Sequence, residues 1–443
     1  MNNNHKIGLT ALTALVFSSM VGAGIFSLPQ NMAEVAGVDA IILGWVITGT
    51  GILLLAGCFL HLSRLVPELD GGIYTYARAG FGDTPGFLSA WGYWLCATIG
   101  VVSYLVVAFA AIGSLTDTQN FVLFGDGNTL PAFAGESMIL WIVHFLILRG
   151  VKQAALINLL ATLAKSLPLI IFIGCAWWYF DPAKFTFDQT GQALNTPFID
   201  QVKNTMLITL WVFTGVEGAI ILSERAKNRH DIGKATCLGV IFALILYIAI
   251  SLLSLGVMNR AEVASLPNPS MSGIMAFMTG VGGKILISIG LIISVLASYL
   301  SWIIYSAEVP CTAAEYGAFP KRFSKKNENG TSPAALMMTS LTVQICLFMV
   351  MFTGKGYNTL VLISTSMILV PYFLVAAFLV KLSFRIKTSL SVKSIGTGAC
   401  LYGLWLIYAA GLDTLLLSAI LYVPGLILFF YTQKSQHPET VKT

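Results

Sequence analysis

The sequence predicts an all-helical membrane protein with about twelve transmembrane helices. Of its 443 residues, 56% are hydrophobic and only 10% are charged, and the mean hydropathy is +0.82. A soluble domain carries roughly 25% charged residues, so this chain has too few to cover a globular surface in water. Apolar runs long enough to cross a bilayer as helices recur along the chain. Lipid is therefore expected to surround most of the molecule.

Twelve apolar segments follow one another with short polar connections. They cover residues about 8–32, 41–64, 87–114, 136–149, 154–180, 201–223, 234–257, 275–305, 334–353, 358–381, 394–411 and 413–431. The fourth is the shortest, because Glu136 and Arg149 bracket it. The first lacks a signal-peptide cleavage site and is expected to be retained as a helix. The connections are mostly too short for a soluble domain, so residues 1–443 are predicted to form a single transmembrane domain.

The basic residues predict the orientation of these helices. With a cytoplasmic N-terminus, 19 of the 25 lysines and arginines fall on the cytoplasmic side. Twelve spans then return the C-terminus to the same side. The expected location is the cell inner membrane, multi-pass, with both termini cytoplasmic. The seven cysteines are scattered singly, so neither a disulfide framework nor a metal site is predicted. No cofactor and no nucleic-acid partner are expected.

Two of the predicted helices carry glycines near their middle. The first contains SSMVGAGIFSLP (18–29), and the sixth, five spans later, contains WVFTGVEGA (211–219). Paired interruptions of this kind are typical of inverted-repeat transporters with a binding site at the membrane midplane. Glycines also allow close helix packing, but hydroxyls and a carboxylate beside both breaks favour a site. Unwound backbone offers N–H groups for a carboxylate and carbonyls for an ammonium.

Two charged residues lie deep in the predicted spans, where a charge is costly. Glu217, beside the second break, could meet a cationic substrate or act as a gate; alternatively it caps N–H groups of the broken helix. Lys165, in the fifth span, could replace a bound cation and hold that helix against the first. Coupling to protons is a weaker alternative for Lys165, and its distance from both helix ends disfavours snorkelling.

Two tryptophans lie mid-helix among small or polar neighbours, Trp211 and Trp302. An indole face in such a place attracts a cationic group by about 2 kcal/mol when desolvated, although packing is the commoner role. The five histidines form no HExxH or other paired-ligand spacing, and the chain has no GxSxG. An enzyme is therefore not predicted, and His144 is expected to be a packed or hydrogen-bonded helix residue.

Four segments carry a resemblance to a known family: GAGIFSLP (22–29), ELDGGIYTYARAGFG (68–82), TLWVFTGVEGA (209–219) and AEYGAFPKRFS (314–324). In order and spacing they resemble the amino acid–polyamine–organocation superfamily, most closely its basic amino acid/polyamine antiporters and the arginine/ornithine exchangers among them. The resemblance spans nearly the whole chain. It implies two inverted five-helix repeats, about 8–180 and 201–381, two further helices, about 394–431, and often a homodimer.

The resemblance also implies roles for individual residues. Residues matching substrate contacts on the first and third helices are Ser19, Gly22, Ala23, Gly24, Ile25, Cys96 and Ala97. Trp211 matches an aromatic that covers the substrate, Trp302 one that stacks on its side chain, and Ser364 a contact from helix 10. Residues matching gates are Glu217, Tyr372 and, as an outer-side aromatic of helix 3, Tyr93.

Two positions depart from the closest pattern. Val101 stands where related exchangers usually place an asparagine near the cationic end of the substrate, which favours ornithine, lysine or histidine over arginine. Lys165 matches a lysine that other members place at a sodium position, so sodium coupling is not expected.

The predicted function is exchange of an external cationic amino acid for ornithine or a decarboxylated amine, most simply arginine for ornithine. Exchange of histidine for histamine, another amino acid/amine exchange and proton-coupled uptake remain alternatives.

Overall fold

The computed structural model describes residues 8–69, 72–118, 120–150, 155–218, 229–354 and 357–436. Helices make up nearly all of these ranges, in which β-pairing is limited to a single bridge between Thr118 and Phe121. The helices of the first half are α1 (Leu9–Met20), α2 (Gly24–Val35), α3 (Val38–Leu65), α4 (Ile73–Phe81), α5 (Asp83–Thr116), α6 (Leu130–Leu148), α7 (Ala155–Trp178), α8 (Pro182–Thr186) and α9 (Phe198–Trp211). Those of the second half are α10 (Arg229–Val257), α11 (Arg260–Ala264), α12 (Ser270–Thr279), α13 (Val281–Glu315), α14 (Pro333–Thr353), α15 (Tyr357–Arg385), α16 (Leu390–Ala410) and α17 (Leu412–Gln436).

These helices account for the predicted spans in order. Within the described ranges, nine helices are long and apolar enough to cross a membrane, and the bent pair α1–α2 makes a tenth. The fifth and sixth predicted spans correspond to α7 and α9; α7 begins directly after a segment outside the described residues, and the end of the sixth span, 219–223, also lies outside them. The prediction of an all-helical polytopic membrane protein is confirmed.

Two predicted spans have the wrong start. The fourth begins at Leu130 rather than 136, because Thr129 caps its first turn by accepting a hydrogen bond from the Ala132 N–H, with a proline at the start of the helix. The eighth begins at Val281 rather than 275, because Gly280 has φ +74° and separates α12 from α13. Only glycine adopts such a backbone readily.

The first predicted break lies between α1 and α2, which are bent by 45° relative to each other. Gly22 is packed so closely that a β-carbon there would lie 2.6 Å from the Tyr104 hydroxyl. Because α2 begins at Gly24, the N–H groups of Gly24 and Ile25 have no backbone acceptor among the described residues one helical turn earlier, whereas the Phe26 N–H donates to the Ala23 carbonyl at 3.2 Å. Helix 1 is therefore interrupted where the sequence predicts.

The second break follows Trp211, where α9 ends. From Val212 to Gly218 the chain runs in tight turns, with the Thr214 N–H donating to the Trp211 carbonyl at 3.0 Å. Gly215 has φ +109°, and the Tyr247 hydroxyl donates to the Val212 carbonyl at 2.7 Å. The remainder of the sixth predicted span, 219–223, lies outside the described residues.

Helix α5 forms the centre of the molecule and carries much of the site. It is buried along nearly its whole length and packs against α13 and α15. The last helix, α17, is by contrast mostly exposed to the surroundings. A run of small residues on α5, including Ala97, Gly100 and Ala108, lets its neighbours approach closely.

Candidate functional site

The two helix breaks lie against each other. The Ser19 hydroxyl donates to the Gly215 carbonyl at 2.8 Å, across 196 residues of sequence. A β-carbon on Gly215 would lie 2.8 Å from the Ser19 carbonyl oxygen, and one on Gly24 would lie 2.9 Å from Val212. The glycines therefore allow two irregular backbones to come into direct contact.

A cavity opens between the breaks and α5. Of the predicted substrate residues it is lined by Gly22, Gly24, Cys96, Ala97, Trp211 and Trp302. The other lining residues, which the sequence did not single out, are Met20, Gly100, Tyr104, Val212 and Thr214. None of the eleven carries a charge. Tyr104 could have been found from its position eleven residues, or three turns, after Tyr93 on the same helix.

Five predicted substrate residues do not line this cavity: Ser19, Ala23, Ile25, Val101 and Ser364. Ser19 instead lines a second cavity. Val101 is fully buried in α5. The Ser364 hydroxyl donates to the Cys96 carbonyl at 2.6 Å and so ties α15 to α5. In this conformation the Cys96 carbonyl is thus already paired within the protein.

Trp211 covers one side of the cavity. Its indole lies against the closely packed Gly24 and Gly100, and its Nε1–H donates to the Tyr357 hydroxyl at 3.2 Å. Tyr357 opens α15 and is buried. This bond fixes the orientation of the Trp211 ring. The role of Tyr357 was not predicted from the sequence, because Tyr357 is 146 residues away from Trp211.

Trp302 lies between the two cavities and lines both. Its ring meets Tyr305 edge to face, with centroids 5.9 Å apart, and is 5% exposed. Its Nε1–H has no hydrogen-bond partner among the described residues. Trp302 therefore brings to the site both an aromatic ring and an N–H donor that no described residue satisfies.

Glu217 lies at the end of the second break and is almost wholly buried. Its Oε1 accepts from the Tyr93 hydroxyl and its Oε2 from the Tyr372 hydroxyl, each at 2.8 Å. The three predicted gating residues thus form one hydrogen-bonded group that joins α5, the break and α15.

The location predicted for Tyr93 can be compared with the predicted orientation of the helices. Tyr93 lies ten residues from the start of α5 at Asp83 and twenty-three from its end at Thr116. The start of α5 is the end predicted to be cytoplasmic. The outer-side location of Tyr93 and the predicted orientation of the helices therefore disagree: with a cytoplasmic N-terminus, Tyr93 would lie in the inner half of α5, where its hydroxyl donates to Glu217.

Lys165 joins three helices at the first break. Its ammonium donates to the Ser18 carbonyl at 2.6 Å, the Val21 carbonyl at 2.9 Å and the Ser298 hydroxyl at 3.4 Å. It lines the second cavity together with Ser19 and Trp302. Within the described chain no carboxylate lies within ion-pair distance of it. Carbonyl oxygens at the break, rather than a counter-charge, hold this lysine in place.

His144 fits its predicted role as a hydrogen-bonded helix residue. It is fully buried in α6, and its Nδ1 lies 2.8 Å from the Ser340 hydroxyl of α14. No group of three potential metal ligands is found in the part of the chain that the structure describes.

The described residues form a bundle of apolar helices with an uncharged cavity between two broken helices. A family model described as amino acid permease matches residues 7–441. The chain belongs to this family. This match confirms the resemblance to the amino acid–polyamine–organocation superfamily. It also confirms that the protein is a membrane transporter.

Named relatives of this permease cover nearly its whole length. It is 57% identical to the "Putative arginine/ornithine antiporter" of Escherichia coli (strain K12) over 98% of this chain and 94% of the relative. It is 45% identical to the arginine/ornithine antiporter of Pseudomonas aeruginosa, over 96% and 91% of the two chains. With the arginine/agmatine antiporter of Chlamydia pneumoniae, the identity is 41% over 100% and 92%.

Proposed function

We propose that this permease is an antiporter that exchanges an external cationic amino acid for an internal related product, most simply arginine for ornithine. The names of its relatives supply the substrate class. The observation that carries the proposal is the cavity itself, which is uncharged, bounded by two helix breaks and walled by Trp211 and Trp302. In this proposal the permease is not an enzyme and needs no cofactor.

Each part of the substrate has a matching surface. The first N–H groups of α2, at Gly24 and Ile25, are available to the carboxylate. Main-chain carbonyls of the first break, near Gly22 and Ala23, are proposed to accept from the α-amino group. Cys96 and Ala97 line the cavity beside them, although the Cys96 carbonyl accepts from the Ser364 hydroxyl in this conformation. The cationic side chain then lies against the Trp302 ring, where attraction to the π face replaces a counter-charge.

Transport would alternate between a state open to the outside and a state open to the inside. Three groups would take part in the movement between these states. Trp211 with Tyr357 closes the cavity on one side. Glu217 with Tyr93 and Tyr372 closes the other by joining α5 to α15. Ser19 would hold the two breaks together during the change, and Lys165 would hold the first break to α7 and α13. The structural basis is the pair of five-helix repeats, about 8–180 and 201–381, moving around one site.

The location and the assembly belong to the same proposal. The permease would lie in the cell inner membrane with both termini cytoplasmic, as the distribution of lysine and arginine favours. A homodimer is what the resemblance implies for its assembly, and the exposed apolar surface of α17 suits either a partner or lipid.

Selectivity within the cationic class would depend on α5. Val101 and Ser364 are proposed to shape the side-chain end of the site, Val101 from behind the lining residues Gly100 and Tyr104. Without an asparagine at 101, the site favours ornithine, lysine or histidine relative to the arginine/agmatine exchangers. Thr214, whose buried hydroxyl has no partner within the described ranges, is a further polar contact available there.

The test uses purified protein in liposomes loaded with one unlabelled cationic compound at a time. Uptake of labelled arginine, ornithine, lysine or histidine is then followed, with empty liposomes as the control. Antiport predicts uptake only into loaded liposomes, and the fastest pair identifies the substrates. Uptake into empty liposomes under an imposed proton gradient would instead establish a symporter.

A further inference from the structure

A group of polar side chains gathers at the C-terminal end of α2, which the predicted orientation places on the outer side of the membrane. Gln30 and Glu34 come from α2, Asn268 precedes α12, and Asn358 is at the start of α15. We call these four residues the outer amide cluster. The Gln30 amide donates to Glu34 Oε2 at 2.9 Å, and the Asn358 amide reaches the same oxygen at 3.5 Å. Asn268 donates to Asn358 Oδ1 at 3.2 Å.

Two acceptor oxygens of the outer amide cluster are buried and unpaired within the described residues. Gln30 is 7% exposed, and its Oε1 is buried with no hydrogen-bond partner among the described residues. Asn268 Oδ1 is buried and unpaired in the same way. Glu34 adds a negative charge and a second carboxylate oxygen. Buried acceptors without donors are costly. The two amide oxygens, together with the exposed carboxylate of Glu34, have the chemistry of a site for a cationic N–H donor.

The other charged groups near this end of α2 do not balance Glu34. Arg260 pairs with Asp188 at 2.5 Å and donates to the Ala33 carbonyl at 2.8 Å. Asp39 accepts from Gln189. No cation of the described chain lies within ion-pair distance of Glu34, and Lys355, three residues before Asn358, lies outside the described residues.

The cluster also lies close along the chain to residues that bound the cavity. Asn358 follows Tyr357, which holds Trp211 over the cavity. Along α2, Gln30 is six residues beyond Gly24 at the cavity wall, or roughly 9 Å of helix rise. The cluster is thus connected to the cavity wall along α2 and to the residue that holds Trp211 along α15.

We propose that the outer amide cluster is a second, transient binding site, which captures the ammonium or guanidinium group of the incoming substrate. This rests on the proposed exchange of cationic amino acids. Glu34 attracts the cation through its charge, and the carboxamide oxygens of Gln30 and Asn268 accept its N–H groups. Release toward Trp211 then delivers the substrate to the cavity.

The test is the variant Glu34→Gln, which keeps the shape and an acceptor for the amides but removes the charge. Right-side-out and inside-out membrane vesicles are loaded with ornithine, and uptake of labelled arginine or ornithine is measured. At low ionic strength the KM measured from the outer face should rise about threefold to tenfold, with the maximum rate retained. The KM from the inner face should not change, and added salt should shrink the difference.

Glu34→Lys should raise the outer KM further, and Asp39→Asn, another outer carboxylate, should behave as wild type. An unchanged outer KM in Glu34→Gln, with the wild type active, would overturn the second site. So would equal changes at both faces. A lower maximum rate with an unchanged outer KM would also overturn the second site, because it would mean that the cluster affects only the opening of the entrance. If the wild type exchanges neither compound, the proposed function fails and the outer site fails with it.

Discussion

Glu217 is the residue through which the second break is connected to two neighbouring helices. Each of its carboxylate oxygens accepts one tyrosine hydroxyl, from Tyr93 and from Tyr372. A carboxylate accepts at both oxygens, whereas an amide accepts at one and donates at the other. The group therefore depends on the acid itself and not only on its size.

We expect Glu217→Gln to slow exchange about tenfold or to change its pH profile, because one of the two tyrosine bonds is lost. The measurement is counterflow in liposomes across a range of pH. Glu308→Gln, which changes an exposed carboxylate of α13, is the matched control. Exchange equal to wild type at every pH would remove Glu217 from the gate.

Trp302 tests whether the site recognises a cation through an aromatic face. Because its Nε1–H has no partner in the described chain, Trp302→Phe loses ring area but no hydrogen bond. We expect Trp302→Ala to weaken binding of a cationic amino acid about tenfold or more, and Trp302→Phe to weaken it less. Binding is measured on purified protein, with Trp178→Ala, a largely exposed residue, as control. Equal losses in both Trp302 variants would indicate packing alone.

At the scale of elements, the broken helices depend on backbone that other residues cannot adopt. Gly215 combines φ +109° with a β-carbon position 2.8 Å from the Ser19 carbonyl oxygen. Both the dihedral angle and the contact oppose any side chain there. The break therefore depends on Gly215 and on the segment around Ser19 that packs against it.

We expect Gly215→Ala to lose most exchange and to lower the midpoint of thermal unfolding, since a strained backbone costs about 1–3 kcal/mol. Gly282→Ala is the matched control, because Gly282 lies in α13 with nothing within 4 Å of the added carbon. Both variants are measured for unfolding in detergent and for counterflow. Similar behaviour of the two would contradict the importance of the break.

At the scale of the whole molecule, Lys165 links α7 to the first break and to α13. It thereby connects the first predicted repeat with the second. Removing the ammonium would leave the Ser18 and Val21 carbonyls without their donor in a region that lipid and protein keep dry.

We expect Lys165→Met to lower the unfolding midpoint and to slow exchange, because each unsatisfied buried carbonyl costs about 1–3 kcal/mol. Lys203→Met is the control, since Lys203 pairs with Asp200 near the start of α9 and is partly exposed. Thermal unfolding in detergent and counterflow provide the readouts. A Lys165→Met protein as stable and as active as Lys203→Met would show that the lysine is dispensable.

Local physics determined the architecture that could be read from the sequence. Apolar runs must become helices in lipid, since the backbone has no water to bond, so the order of the spans was predictable. The breaks at Gly22–Gly24 and Gly215 were predictable because glycines beside hydroxyls and a carboxylate recur in two spans that are five apart. Ends set by a single cap or turn, at Thr129 and Gly280, were not, because apolar content is the same on both sides of them.

Only the tertiary structure decided which groups meet. Tyr357 on Trp211, Ser364 on Cys96, and Asn268 with Asn358 near Glu34 are contacts between residues 90 to 324 positions apart. Their partners depend on how the helices pack and on the angle of each broken segment, which no local pattern contains. The sequence by itself therefore determined a membrane permease with two broken helices, and the packing around α5 decided where its cavity, its gate and its outer polar cluster lie.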